Sequence, residues 1–308
     1  MTDDAQRERR LYEIRREAER TGSVASASIA ISGSPIPPRA APPDGYYGLP
    51  MLKAPVWTWE VPAYFFVGGA AGAAAVIGAV ARRTGADPSL VRDARWVAAI
   101  GGAASAPLLI SDLGRPERFL NMLRVFKVRS PMSVGAWTLV AFSNAAGAAA
   151  CADMILRSSR GRIPVTIVAD AAELLSATTG LVLSTYTGVL IGATAVPVWS
   201  RNVQVLPIHF AASGIGSAAS LLELLGHRSR ALNRIAIGAA LVETAIGLAI
   251  ESRHDPVEEA LTSGRSGLVT RLAGVLSGPL PLALRVLGGR SPNVRRGSTG
   301  WPGPVGSE

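Results

Sequence analysis

Seven apolar runs separated by short charged loops constrain this chain more than any other feature of its sequence. The runs lie at about 61–81, 96–113, 134–156, 166–194, 205–225, 235–252 and 267–287. Each approaches the roughly 20 residues that a helix needs to cross the hydrocarbon core of a bilayer. Backbone polar groups must be paired inside lipid, and unbroken apolar runs exclude the alternating strands of a barrel. The sequence therefore predicts an all-α, polytopic transmembrane helix bundle of about seven spans.

The composition agrees with a membrane protein and excludes several other classes. Hydrophobic residues make up 48% of the 308-residue chain, and the mean hydropathy is +0.29. The 33 glycines suit close helix packing in lipid, where backbones must approach each other. The net charge of +9 comes mostly from arginines in the short loops. Without a basic patch that contains interleaved aromatics, this charge indicates membrane topology and lipid headgroups rather than a nucleic-acid partner.

The positive charge also predicts an orientation. The loops after the first, third and fifth runs each carry three or four arginines, whereas the loop after the fourth run carries only Arg201. By the positive-inside rule the arginine-rich loops face the cytoplasm of a multi-pass protein of the cell membrane. Polar, Pro- and Ser-rich composition predicts a disordered tail at 1–45, and turn-rich composition predicts a flexible tail at 291–308. The bundle is expected to occupy 46–290.

The stretch 111–133, SDLGRPERFLNMLRVFKVRSPMS, is too charged to cross a bilayer and separates two predicted spans. As a helix it would place Phe119, Leu123 and Phe126 on one face and Arg124 and Lys127 around the other. That pattern is typical of an amphipathic segment lying flat on a membrane surface, and we expect it over 113–131.

The residues of this stretch also carry a resemblance. DLGRPERF, MLRVF and SPMS, together with WTWEVPAYFFVGGAAG at 57–72 and YTGVLIGATAVPVW at 186–199, resemble the signature of the polysulfide reductase membrane-subunit family (NrfD/PsrC). The resemblance extends from about Tyr46 to about Arg296. Relatives typically carry an eighth span where this chain reads GSTGWPGPVGSE, and many carry His where this chain has Ser111.

The resemblance implies a membrane anchor that passes electrons between a quinone and a ferredoxin-like iron–sulfur subunit. The quinone would be menaquinone or ubiquinone. The resemblance further implies a molybdopterin-containing catalytic subunit beyond that partner, as in polysulfide, thiosulfate or formate complexes, and a quinone site in the first four helices. One cysteine and three scattered histidines exclude an iron–sulfur cluster or paired haem ligands in this chain itself. Two other functions stay open: a proton-coupled secondary transporter, and an anchor without quinone chemistry.

A quinone site needs an apolar slot, a donor to the quinone oxygen and a group that exchanges protons with water. Ionisable and phenolic residues at the ends of predicted spans are the candidates. The predicted quinone-binding residues are Trp59, Glu60, Tyr64, Asp112 and Tyr186. Each has a structural alternative: Glu60 as an interfacial carboxylate, Asp112 as a loop-folding group, and Tyr186 as a packing residue.

Acidic residues deeper in the spans are costly in lipid and therefore functional candidates. We predict Glu173 and Glu243 as proton-transfer residues; their alternative role is to pair with loop arginines or hydroxyls inside the bundle. For the central stretch we predict docking of the iron–sulfur partner, with the lipid bilayer as the competing partner. The predicted docking residues are Arg115, Glu117, Arg118, Arg124, Lys127 and Arg129.

Overall fold

The computed structural model describes residues 57–113, 116–158, 163–194, 196–252 and 264–288, and it is helical without strands in these ranges. The predicted tails at 1–45 and 291–308 lie outside them. The helices are α1 (Glu60–Arg83), α2 (Pro88–Ser111), α3 (Arg118–Met122), α4 (Pro131–Ser158), α5 (Ile163–Gly192), α6 (Pro197–Arg201), α7 (Leu206–Leu224), α8 (Arg230–Glu251), α9 (Gly264–Ser277) and α10 (Pro279–Gly288).

Six stretches within the described ranges are long and apolar enough to cross a membrane, which confirms the polytopic helical bundle. They are α1, α2, most of α4 and α5, α8, and the stretch Gly267–Leu287. The fifth predicted span is the 19-residue helix α7, which is not among the six. Helix α7 is short and contains His209 and Glu223, and it packs between α1, α5 and α8.

Helix α1 lies at the centre of the bundle because its small residues let other backbones approach. A Cβ atom on Gly72 would lie 2.3 Å from the carbonyl oxygen of Gly180 in α5. On the neighbouring face, a Cβ on Gly214 of α7 would lie 2.8 Å from the Gly69 carbonyl oxygen. These glycines therefore form two helix crossings, as the small-residue pattern of α1 predicts.

Local polar contacts fix the short connections. Asp87 precedes α2 and its carboxylate accepts a hydrogen bond from the backbone N–H of Ser89, which lowers the pKa of that carboxyl. The Ser229 hydroxyl accepts from the N–H of Leu232 at the start of α8. Such side-chain caps satisfy backbone donors that the first helical turn leaves free.

The central stretch contains a much shorter helix than the sequence predicts. Only Arg118–Met122 is helical, and turns follow from Leu123 to Ser130. The Ser133 hydroxyl, at the start of α4, accepts from the N–H of Lys127 and donates to the Val125 carbonyl, at 3.0 and 3.4 Å. These bonds and the β-branched valines hold the backbone away from helical geometry, which periodicity alone does not reveal.

The last predicted span is interrupted. Helix α9 ends at Ser277 and α10 begins at Pro279, because a proline cannot donate the next helical hydrogen bond. Arg285 then joins α10 to the bundle by donating to the Glu223 carboxylate at 2.7 Å and to the Ser220 hydroxyl at 2.9 Å.

Candidate functional site

The antiparallel bundle has two chemically different ends. We call the Asp112 end the one where α1, α4 and α7 begin and where α2 and α5 finish. The Arg82 end is the opposite one, where α1 finishes and α2 and α5 begin. The sequence predicts the quinone site at the Asp112 end.

Asp112 joins two helices at this end. Its carboxylate accepts hydrogen bonds from the backbone N–H of Thr58 at 3.1 Å and from the Thr58 hydroxyl at 2.7 Å. Thr58 lies two residues before α1, and Asp112 directly follows α2. Asp112 therefore positions the start of α1, which carries Glu60 and Tyr64.

Glu60 and Tyr64 lie one turn apart on α1, so their side chains share a face of the helix. Tyr64 is 1% exposed, yet its hydroxyl has no hydrogen-bond partner among the described residues. The Glu60 Oε2 atom is also buried and without a partner there. Buried polar atoms are nearly always hydrogen-bonded in folded proteins, so two orphans on one face indicate a place that a polar ligand completes.

Tyr186 approaches the same region from α5. It is buried, and it lies six residues from the crossing of Gly72 and Gly180 towards the Asp112 end, where Tyr64 lies eight residues from the same crossing. The two tyrosines are therefore at a similar depth in the bundle. Its ring occupies the space beside Gly135 of α4, where a Cβ atom would lie 2.2 Å from the Tyr186 hydroxyl oxygen. The Tyr186 ring therefore fits in this position only because residue 135 is a glycine. Sequence reasoning missed Gly135 because no feature of the neighbouring sequence calls for a glycine there.

Two further orphan atoms lie towards the Asp112 end. They are the Thr187 hydroxyl, in the last two turns of α5, and Nδ1 of His209, in the first turn of α7. The sequence analysis did not select either residue. All four unpartnered buried side-chain atoms found in the described ranges thus lie in the same half of the bundle.

Trp59 takes a different position from the one expected for a wall of the site. Its side chain is 71% exposed, whereas the buried aromatic rings next to Tyr64 belong to Phe65 and, further off, Phe142. In the described residues no group of three or more His, Cys, Asp or Glu side chains could hold a metal ion. Two phenols and a carboxyl group thus lie at this end of the bundle beside an apolar cluster that includes Tyr64 and Phe65. Such groups can donate hydrogen bonds and exchange protons.

At the Arg82 end the acidic residues are paired. Glu173 is 5% exposed, and its Oε2 accepts from Arg95 Nε at 3.0 Å and from Arg82 Nη1 at 3.3 Å. Arg95 also donates to Asp153 at 3.1 Å, and Arg82 to Asp170. The cavity beside Glu173 has about 10 Å³, room for one water molecule and no organic ligand. Glu173 therefore has the arginine partners expected if its role is to form ion pairs inside the bundle rather than to transfer protons.

Glu243 lies in the middle of α8 and is 6% exposed. Its carboxyl group lies near the side chains of Ser277 in α9 and Ser213 in α7. These neighbours are hydroxyls and not cations, and no ion pair with Glu243 is found in the described residues.

The predicted docking segment lies at the Asp112 end and is open to its surroundings. Four of its charged side chains are exposed: Glu117, Arg124, Lys127 and Arg129. Between them Leu120 and Val128 are more than 70% exposed. Arg115 lies outside the described residues, and of Arg118 only the backbone is described.

A bundle with six stretches long and apolar enough to cross a membrane, counted in the described residues, has the fold of a polytopic membrane protein. Comparison with protein families makes the class definite: the polysulfide reductase family model (NrfD_2) matches residues 44–292. The chain belongs to this polysulfide reductase family, whose members are membrane subunits of oxidoreductase complexes. No curated protein matches the chain.

Proposed function

We propose that this protein binds a quinone at its Asp112 end and passes electrons between that quinone and an iron–sulfur subunit. The observation that carries the proposal is the pair of buried, unpartnered atoms on α1, Glu60 Oε2 and Tyr64 Oη, at the end of the bundle where Tyr186 also lies. Family membership supports the same class of ligand, because family members in general are quinone-interacting membrane subunits.

Each residue has a defined role in this proposal. Tyr64 and Tyr186 donate hydrogen bonds to ring oxygens, and Glu60, at the first turn of α1, exchanges protons with the water phase. Asp112 is a positioning residue, because it fixes the entrance of α1 through Thr58. A quinone interconverts with its quinol by two electrons and two protons. The electrons pass to or from the partner subunit, and the protons pass through the groups at this end.

The first test removes single polar groups from the site. Tyr186→Phe deletes one hydroxyl with little change in volume, and Asp112→Asn keeps an acceptor oxygen for Thr58 while removing the charge. We expect both variants to assemble into the complex and to lower quinone-linked electron transfer. Tyr186→Phe should lower it by about tenfold, the effect of one lost hydrogen bond to the ligand. Asp112→Asn should lower it less, because a neutral acceptor holds Thr58 and the start of α1 more weakly than a carboxylate does. Unchanged turnover in both variants would leave the protein as an anchor or a transporter.

The iron–sulfur partner is proposed to dock on the segment from Glu117 to Arg129. This segment presents basic side chains, interspersed with exposed apolar ones, beside the carboxylate that positions α1. Charge complementarity between such a surface and an acidic partner steers association and fixes orientation. By the family relationship, a molybdopterin-containing subunit would bind the iron–sulfur subunit in turn.

The docking proposal is tested by reversing two exposed charges, Arg124→Glu and Lys127→Glu. If the segment binds the partner, the double variant inserts normally but fails to co-purify the iron–sulfur subunit. If lipid phosphates are its target, insertion or topology changes instead. Normal co-purification at moderate salt would exclude docking through these charges. Arg201→Glu, an exposed charge at the same end but outside the segment, is the matched control.

A further inference from the structure

A second cavity lies on the other side of α1 from the proposed quinone site. It has a volume of about 350 Å³ and is formed by α1, the end of α5, α6 and α7. Successive helix residues are about 100° apart, so Pro62 and Phe66, which line this cavity, project away from Glu60 and Tyr64. The cavity and the proposed quinone site therefore lie on different faces of α1 at the Asp112 end, with Phe65 adjoining both.

Aromatic rings form the walls of this cavity. Trp57 and Trp199 stack with an interplanar angle of 9° and ring centroids 5.9 Å apart. Phe65 meets Trp57 edge to face at 5.8 Å and meets Phe210 edge to face at 6.1 Å. Parallel and perpendicular rings around a space of this size suit a flat, apolar ligand, and 350 Å³ lies in the range of small-molecule sites.

The polar part of the wall comes from α7. Ser213 and Ser217, one turn apart, line the cavity at its α7 side. Ser213 also lies near the buried carboxyl group of Glu243 in α8. A serine hydroxyl has one donor and two acceptor positions, so each of these two serines can donate one hydrogen bond to a ligand oxygen.

The charge of the wall restricts the ligand further. All the lining side chains that the structure describes are uncharged, so this cavity offers no cation for a phosphate headgroup. We propose that the cavity bounded by Trp57, Trp199, Phe210 and Ser213 is a second ligand site for a neutral, oxygen-bearing ring of the quinone class. This inference rests on the proposed function for the class of ligand, but not for the place where the ligand binds.

The test is photolabelling of the purified protein in lipid nanodiscs with a short-chain azidoquinone, followed by mass-spectrometric mapping of the labelled residues. We expect label on Trp199, Phe210 or Ser213, in addition to label around Gly135 and Tyr186. Ser213→Ala should lower the first group of labels by about two- to tenfold, as expected for one lost hydrogen bond, and leave the second group unchanged. Thr178→Val is the control, because the Thr178 hydroxyl donates only to its own helix.

The outcomes separate this inference from the proposed function. Label at the α7 wall alone supports the second site and removes the Tyr186 site. Label around Gly135 and Tyr186 alone overturns the second site and leaves the proposed function intact, whereas absence of all labelling contradicts both. Labelling of the α7 wall that an excess of unmodified quinone does not compete, but excess phospholipid does, identifies a lipid chain and also overturns the inference.

Discussion

The two ends of the bundle treat buried polar groups in opposite ways. At the Arg82 end, Glu173 is buried and is contacted by Arg82, Arg83 and Arg95. At the Asp112 end, Glu60 and Tyr64 have buried polar atoms without partners among the described residues. Both ends contain acids that a membrane makes costly. The difference indicates that a buried acid alone does not mark a ligand site, and that the unpartnered groups at the Asp112 end are the better candidates for one.

The largest effect is expected from breaking the paired end. Glu173→Gln removes one of the two carboxylates that pair with Arg95, whose side chain is only 11% exposed; the other is Asp153. Removing one member of a buried ion pair costs about 3–5 kcal/mol, so the free energy of unfolding in detergent should fall by that amount. Asp170→Asn is the control: this carboxylate also pairs with Arg82 but is 58% exposed, and its loss should cost about 1 kcal/mol or less. Equal losses in the two variants would refute the structural role of Glu173.

An intermediate effect is expected from closing the space beside Tyr186. Gly135→Ala places a methyl group where the Tyr186 ring lies, which should cost about 1–3 kcal/mol of stability and displace the phenol. Quinone-linked electron transfer should fall with it. Gly147→Ala lies in the same helix with open space around the new methyl group, so stability should stay the same or rise by up to about 1 kcal/mol. Full activity in Gly135→Ala would exclude Tyr186 from the site.

The smallest effect on stability should come from Tyr64→Phe. This variant tests directly whether the unpartnered hydroxyl serves a ligand rather than the fold. A hydroxyl without a partner contributes no bond, so the free energy of unfolding should change by less than about 0.5 kcal/mol or rise. Quinone binding, measured by titration of the purified protein, should nevertheless weaken. Ser143→Ala is the control, because its hydroxyl donates to the Gly102 carbonyl at 3.0 Å and its removal should cost about 1 kcal/mol. A similar loss in Tyr64→Phe would mean that its hydroxyl has a structural partner.

The spans could be predicted from the sequence because the bilayer imposes their length and polarity on local sequence. The arrangement of the site could be predicted only in part. Span ends place Glu60, Asp112 and Tyr186 near the same surface, but the contact between Tyr186 and Gly135 arises where α4 and α5 cross. The predicted length of the helix in the central stretch was wrong for a related reason. Ser133, from the next helix, bonds to the turns that follow α3.

The position of α1 has a consequence for biosynthesis. It is the first of the described helices to be synthesised, and 72% of its most apolar 18-residue stretch is buried inside the bundle. Its crossing partners Gly180 and Gly214 follow more than a hundred residues later. Contacts so distant in sequence form slowly, and a nascent chain exposes their surfaces until the partner is made. The emerging protein therefore depends on the surrounding lipid or an insertion chaperone to shield its glycine-rich first span until α7 has left the ribosome.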